Sequence, residues 1–243
     1  MKFVAALRFL TTIPLPWWRE VSPEELGRST GYFPVVGIIV GLILVGLNWL
    51  LRLFLPLPVV NVLLVVSLVV ISGALHLDGF VDTCDGIGGH KTPEERWAVM
   101  DDSRAGGFGI IGVSCLLLVK YVSLNSVPQT LLMATLVLMP MISRWAMVYA
   151  LFAYPYAKPS GLGRAFKQGT GWQWFLMATL ITLVVTIVLA QMRGLAVMLG
   201  IWIIVIATAA YLKRKFSGLT GDTYGAINEV AEVCVLILVC LLS

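Results

Sequence analysis

Five aspartates, Asp78, Asp82, Asp85, Asp101 and Asp102, fall in one short stretch of a 243-residue chain that holds thirteen acidic residues in all. The stretch runs His76-Leu-Asp-Gly-Phe-Val-Asp-Thr-Cys-Asp-Gly-Ile-Gly-Gly-His90 and continues through Met100-Asp-Asp-Ser-Arg104 to Gly109. Asp78, Asp82 and Asp85 stand at i, i+4 and i+7, so on a helix they share an arc of about 60°. Three like charges so placed repel one another unless a cation sits among them. Oxygen donors with no matching histidine or cysteine set suit Mg²⁺, which keeps some of its waters and bridges carboxylates to phosphates. Asp78, Asp82 and Asp85, with one or both of Asp101 and Asp102, are therefore the expected metal ligands. Arg104 and Lys91 are expected to hold phosphate oxygens, and Gly79 and Gly86 to leave room for a bulky substrate. His76 and His90 bracket the motif without a ligand spacing and are expected to contact the metal ligands or the substrate rather than the metal.

Something must bring Asp101 and Asp102 back to the first three. Thr92-Pro-Glu-Glu95 reads as a capping box with proline at the first helical position, and the short helix it opens ends at the Asp101-Asp102 pair. A second box, Ser22-Pro-Glu-Glu25, starts another helix near the N-terminus.

The flanking chain is apolar. With 59% hydrophobic and 12% charged residues the composition lies outside the soluble range and indicates a polytopic membrane protein. The fold expected is all-α, with about seven transmembrane helices near 31–55, 57–77, 107–126, 129–153, 173–191, 195–212 and 226–242. Thirteen of the seventeen lysines and arginines then fall on one side, Arg52, Lys120 and Arg193 on the other, and Arg144 within a span. The positive-inside rule makes the N-terminus and the Asp-rich loop, 78–106, cytoplasmic. Residues 2–13 place Phe3, Leu7 and Leu10 on one stripe and read as an interfacial helix in an N-terminal segment, 1–30, with Trp17-Trp18-Arg19 as a headgroup anchor. One integral membrane domain, 1–243, is expected, with no signal peptide.

Further polar groups are candidates for substrate contact. Arg144 is costly to bury, about 2.5–3.5 kcal/mol at mid-membrane, so it must meet either a carboxylate or a substrate phosphate. The basic, glycine-rich segment from Tyr154 to Lys167, with Arg164, could wrap phosphates. Asp222, Glu229 and Glu232 at i, i+7 and i+10, with Asn228, suggest a polar cavity shared with the Asp-rich loop, or else a pairing with Arg144 or Lys213 to Lys215. Gly37 and Gly41 form a small-residue stripe for close helix packing, within the chain or in a homo-oligomer. Four cysteines without zinc spacing make disulfides improbable. The net charge of +4 is the positive-inside excess, and no nucleic-acid partner is expected.

Several segments together resemble the cobalamin 5′-phosphate synthase family: Phe9-Leu-Thr-Thr-Ile-Pro14, Tyr32-Phe-Pro-Val-Val-Gly37, Leu75 to Gly86, Met100 to Gly109, Gly161-Leu-Gly163 and Thr220-Gly-Asp-Thr-Tyr-Gly-Ala226. The resemblance implies a Mg²⁺-dependent enzyme of the bacterial or archaeal cytoplasmic membrane. Such an enzyme joins adenosylcobinamide-GDP to α-ribazole or its 5′-phosphate and releases GMP. A carboxylate would then take the proton of the ribazole hydroxyl. Asp102 is the expected base, and Asp85 is counted with it as catalytic. Asp82-Thr-Cys-Asp85-Gly86 also looks like the opening of the CDP-alcohol phosphotransferase signature, but the likeness ends at Gly89-His90. A prenyl-diphosphate transferase and a divalent-cation transporter are the other readings weighed. The first would need a lipid-open tunnel and the second carboxylates at mid-membrane.

Overall fold

The computed structural model describes residues 2–14, 21–89 and 92–243. The tryptophan anchor, His90 and Lys91 lie outside the described residues, and with them the expected phosphate contact of Lys91. All named elements are helical: α1 (Lys2–Leu10), α2 (Pro23–Ser29), a 3-10 turn (Thr30–Tyr32), α3 (Phe33–Leu51), α4 (Leu57–Ile71), α5 (Leu75–Ile87), α6 (Pro93–Met100), α7 (Gly107–Ser126), α8 (Gln129–Ala153), α9 (Leu162–Gly169), α10 (Trp172–Phe216) and α11 (Gly221–Leu241). Both capping boxes form. The Ser22 hydroxyl accepts from Glu25 N–H and Thr92 from Glu95 N–H, and each glutamate accepts in return from the cap's own N–H.

α8 is the axis of the bundle. Every residue from Thr135 to Val148 is buried, the condition of a helix surrounded by others. α3 lies against it through the expected glycines. A Cβ on Gly37 would stand 2.4 Å from Pro140 O, and one on Gly41 would stand 2.6 Å from Val137 Cα. The stripe is thus spent on packing inside the chain. α1 is seated on the bundle with Ala5, Ala6, Leu7 and Leu10 buried and Arg8 exposed. Beyond it, the Thr12 N–H donates to the last carbonyl of α4, Ile71 O, at 2.8 Å.

Among the described residues, five helical stretches are long and apolar enough to cross a membrane, six if α4 and α5 together count as one. The span expected at 57–77 was to run without a break into the aspartates. Instead the chain turns through 88° between α4 and α5, with Gly73 and Ala74 in the left-handed region at φ 60° and 57°. α5, with thirteen residues, is too short to span by itself and runs across the bundle end. α10 contains a non-helical residue, Gln191 (φ 49°, ψ −133°). A Cβ on Gly194 would lie 2.8 Å from Thr186 O, although residues eight apart on a straight helix are about 12 Å apart. The two arms of α10 therefore fold back on each other.

Candidate active site

α5 crosses α11 where neither helix has a side chain in the way. A Cβ on Gly79 would sit 2.7 Å from Asp222 O, and one on Gly225 would sit 3.1 Å from His76 Cα. Gly79 and Gly86 were expected to give a substrate room. Gly86 does not, because Met100 with Phe216 fills the space beside it; Gly79 has the Asp222 backbone where a Cβ would stand but lines the open cavity next to it. What this crossing achieves is to bring the aspartate face of α5 beside the first turn of α11.

α6 is tied to α5 by Arg96, whose Nη1 donates to Gly86 O (2.7 Å) and Ile87 O (3.0 Å) at the helix end. This returns Asp101 toward the crossing. The segment after α8 is held to the turn before α11 by Ala157 N–H donating to Leu219 O (2.7 Å) and Leu219 N–H to Pro155 O (2.8 Å). Gly218, at φ 146°, passes so close to Ala157 that a Cβ would come within 2.9 Å. Lys158 is thereby delivered between two acids, 2.7 Å from Asp101 Oδ1 and 4.0 Å from Asp222 Oδ2.

These groups open onto a cavity of about 420 Å³. Asp78, Asp101, Asp222 and Lys158 line it with Ser160, Gly161 and Gly163, and on another side Phe9, Phe33, Phe166, Met147 and Leu151 do so. His76, Tyr156 and Tyr224 also belong to its wall. Lys167 anchors α9 beneath it by donating to Leu151 O and Phe152 O at 2.7 and 2.9 Å. Arg164 is exposed and donates to Pro159 O.

The five aspartates do not act as one set. Asp78 is exposed, Asp82 half-buried and Asp85 buried. Both Asp85 oxygens are taken, by Gly106 N–H and Gly109 N–H at 2.8 Å each, so this carboxylate holds the start of α7. Asp102 lines a separate, shallower pocket with Asp85 and Arg104. Hydrogen bonds from the Arg104 guanidinium and N–H hold its carboxyl down at about 2. That is a poor proton acceptor, and it does not line the cavity that holds Lys158, contrary to the role expected of Asp102 as base. Asp82 is the opposite case. Burial, then the negative charges of Asp78, Asp222 and Asp85, push its carboxyl up to about 7 despite Lys158.

Among the described residues no three His, Cys, Asp or Glu side chains stand close enough to enclose a metal ion by themselves. The donor chemistry nevertheless fits Mg²⁺. The crowded negative charge around Asp82 is what a divalent cation would relieve, and Mg²⁺ normally completes its shell with water and phosphate oxygens.

Deeper in the bundle, α7, α8 and α11 share a second polar centre. Lys120 was expected in an outer loop. It is instead 1% exposed within α7, with Nζ 2.6 Å from Glu229 Oε2 and 2.7 Å from Glu232 Oε2. Arg144 is fully buried, 3.3 Å from Glu232 Oε1, and donates to Pro140 O at 2.9 Å. Asn228 Nδ2 donates to Glu232 Oε1 at 3.1 Å. Of the two alternatives for Arg144, carboxylate or substrate, the structure supplies the carboxylate. Arg144, Asn228, Glu229 and Glu232, proposed as substrate contacts, are packed behind the cavity and do not line it. Of the α11 set only Asp222 reaches it. Two cations against two carboxylates make a charge-balanced network, unlike the unpaired acids of a cation path. A lone lysine six residues inside an apolar span was the available signal, since such a charge needs an internal partner.

The family model for cobalamin-5-phosphate synthase matches residues 2–240. A Geotalea daltonii protein named adenosylcobinamide-GDP ribazoletransferase is 38% identical over 238 residues, covering 98% of this chain and 96% of its own length. Proteins of the same name from Roseiflexus sp. and Desulforamulus reducens are 36% and 34% identical; they cover 95% and 97% of this chain and 86% and 94% of their own lengths. No solved structure matches the chain.

Proposed function

The chain belongs to the cobalamin-5-phosphate synthase family, and from that premise we propose that it joins adenosylcobinamide-GDP to α-ribazole or its 5′-phosphate with release of GMP, in the nucleotide-loop assembly of cobalamin. The observation that carries this reading is the convergence of Asp78, Asp101, Asp222 and Lys158 on one cavity from α5, the α6 end, α11 and the segment after α8.

In the reaction, a ribazole oxygen forms a bond to the cobinamide-linked phosphorus. The bond from that phosphorus to the GMP oxygen breaks, and GMP leaves with the electron pair. The hydroxyl proton passes to Asp222, a carboxylate of the cavity wall. Asp102, tied to Arg104, and Asp85, tied to α7, are reassigned to holding the loop that frames the site. Lys158 binds diphosphate oxygens from between its two aspartates, and the N-terminal turn of α9 at Gly161 to Gly163 offers N–H groups to the same anion. Asp78 and Asp82, with Asp101, would hold Mg²⁺, which would supply charge neutralisation on the diphosphate and a better leaving group.

We read the chain as one membrane domain that crosses seven times, with α4 and both arms of α10 each counted as a crossing, and with the cavity on the cytoplasmic side with most of the basic residues. The test is direct. Protein purified into nanodiscs, given Mg²⁺, adenosylcobinamide-GDP and α-ribazole, releases GMP in equal amount to the cobalamin formed. No GMP in either nanodiscs or detergent would contradict the reading.

A further inference from the structure

Phe9, Phe33 and Phe166 come from α1, α3 and α9 and touch one another at the cavity. Ring centroids are 4.5 Å apart for Phe9 and Phe166, 5.7 Å for Phe33 and Phe166, and 6.2 Å for Phe9 and Phe33. With Met147 and Leu151 they make a wall that carries no hydrogen-bonding side chain. The ion-paired group of Asp101, Lys158 and Asp222 forms a second, charged part of the lining. A volume of about 420 Å³ is near the lower end for small-molecule sites. It admits a nucleoside but not a corrinoid macrocycle, which must remain at the mouth.

Resting on the proposed function, we infer that the phenylalanine wall receives the base of the nucleoside substrate and selects for an apolar bicyclic ring, with the sugar directed toward Asp101 and Lys158. Flat apolar rings gain from stacked and edge contacts with phenylalanines. A base with an exocyclic amine would lose its water partners there and find none in exchange. Two buried side chains of the cavity wall, His76 and Tyr224, have polar atoms, Nε2 and Oη, with no hydrogen-bond partner among the described residues. A ring-nitrogen acceptor on the base would give the Tyr224 hydroxyl a partner to donate to. The polar half then has the nucleoside's hydroxyl or phosphate beside the carboxylates, where the reaction needs it.

The experiment compares GMP release, with adenosylcobinamide-GDP fixed, for the α-ribosides of dimethylbenzimidazole, benzimidazole and adenine. The wild type is expected to prefer the dimethylbenzimidazole riboside over the adenine riboside by about tenfold or more in kcat/KM. Phe9 is only half-buried, so Phe9→Ala is expected to fold. It should raise KM for the benzimidazole ribosides and narrow that ratio, leaving KM for adenosylcobinamide-GDP unchanged. Phe9→Trp, which narrows the pocket, should penalise the dimethylated base more than the plain one. GMP release with an unchanged base ratio in both variants, or an effect confined to the KM for adenosylcobinamide-GDP, overturns the inference alone. No GMP from the wild type with any of the three overturns the proposed function and the inference with it.

Discussion

Lys120 faces two glutamates inside an otherwise apolar helix and, with Arg144, leaves the cluster neutral. Removing one partner strands the others, because a buried charge without its counterion costs several kcal/mol whereas a complete pair is roughly neutral. Lys120→Met is therefore expected to lower unfolding stability in nanodiscs by about 3–5 kcal/mol. Adding Glu229→Gln, which returns the cluster to neutrality, should recover more than half of the loss. Equal stability of the single variant and the wild type would show that the ion pairs do not hold α7 to α11. In the sequence a pairing of Glu232 with Arg144 was one of two alternatives, and the signal of Lys120 within an apolar span was passed over, because counting charges by side treats a lysine as a loop residue whenever it falls near a boundary. Depth in the bundle is a tertiary property, and spacing along one chain segment does not encode it. The same limit applies to the aspartates. Their shared helix face was legible, but Asp85's use as the anchor of α7 depends on Gly106 and Gly109 arriving from twenty or more residues away.

At the scale of the element, the start of α7 has no side-chain cap of its own, and Asp85 supplies one from α5. Gly106 and Gly109 allow it, since a Cβ on either would fall within 2.5 Å of the Asp85 carboxylate. Asp85→Ala is expected to cost about 1–2 kcal/mol of stability, the range of a lost N-terminal cap, and to increase amide exchange in the first turn of α7 specifically. An exchange increase spread evenly over all helices would contradict this. Helix starts such as Thr92 and Ser22 were readable because a capping box is a local code, satisfied within four residues. The break between α4 and α5 was not readable. Ala74 adopts a left-handed conformation there that its own chemistry disfavours, so packing around α5 imposes the bend and no residue type advertises it.

For the whole molecule, hydropathy and the basic-residue bias were sufficient to recognise a helical membrane protein, and the expected division between spans ending at 191 and starting at 195 falls at the Gln191 break. The cavity was invisible at that level because its wall is assembled from residues as distant as Phe9, Phe33, Asp101, Lys158, Phe166 and Asp222. The proposed seven crossings with a cytoplasmic N-terminus would put the C-terminus after α11 outside. A reporter fused there that works only beyond the cytoplasm is expected to be active, and its inactivity would indicate an even number of crossings. The account as a whole stands on carboxylates from separate helices holding a divalent ion against a diphosphate. The measurement that reaches this most directly is GMP release as a function of Mg²⁺ by the wild type and by Asp82→Asn. The account predicts release that stops with a chelator and returns with Mg²⁺, and a variant that keeps the wild-type helix content and thermal midpoint but loses about a hundredfold or more in rate. Undiminished release by Asp82→Asn, or by the wild type stripped of divalent ions, would contradict it.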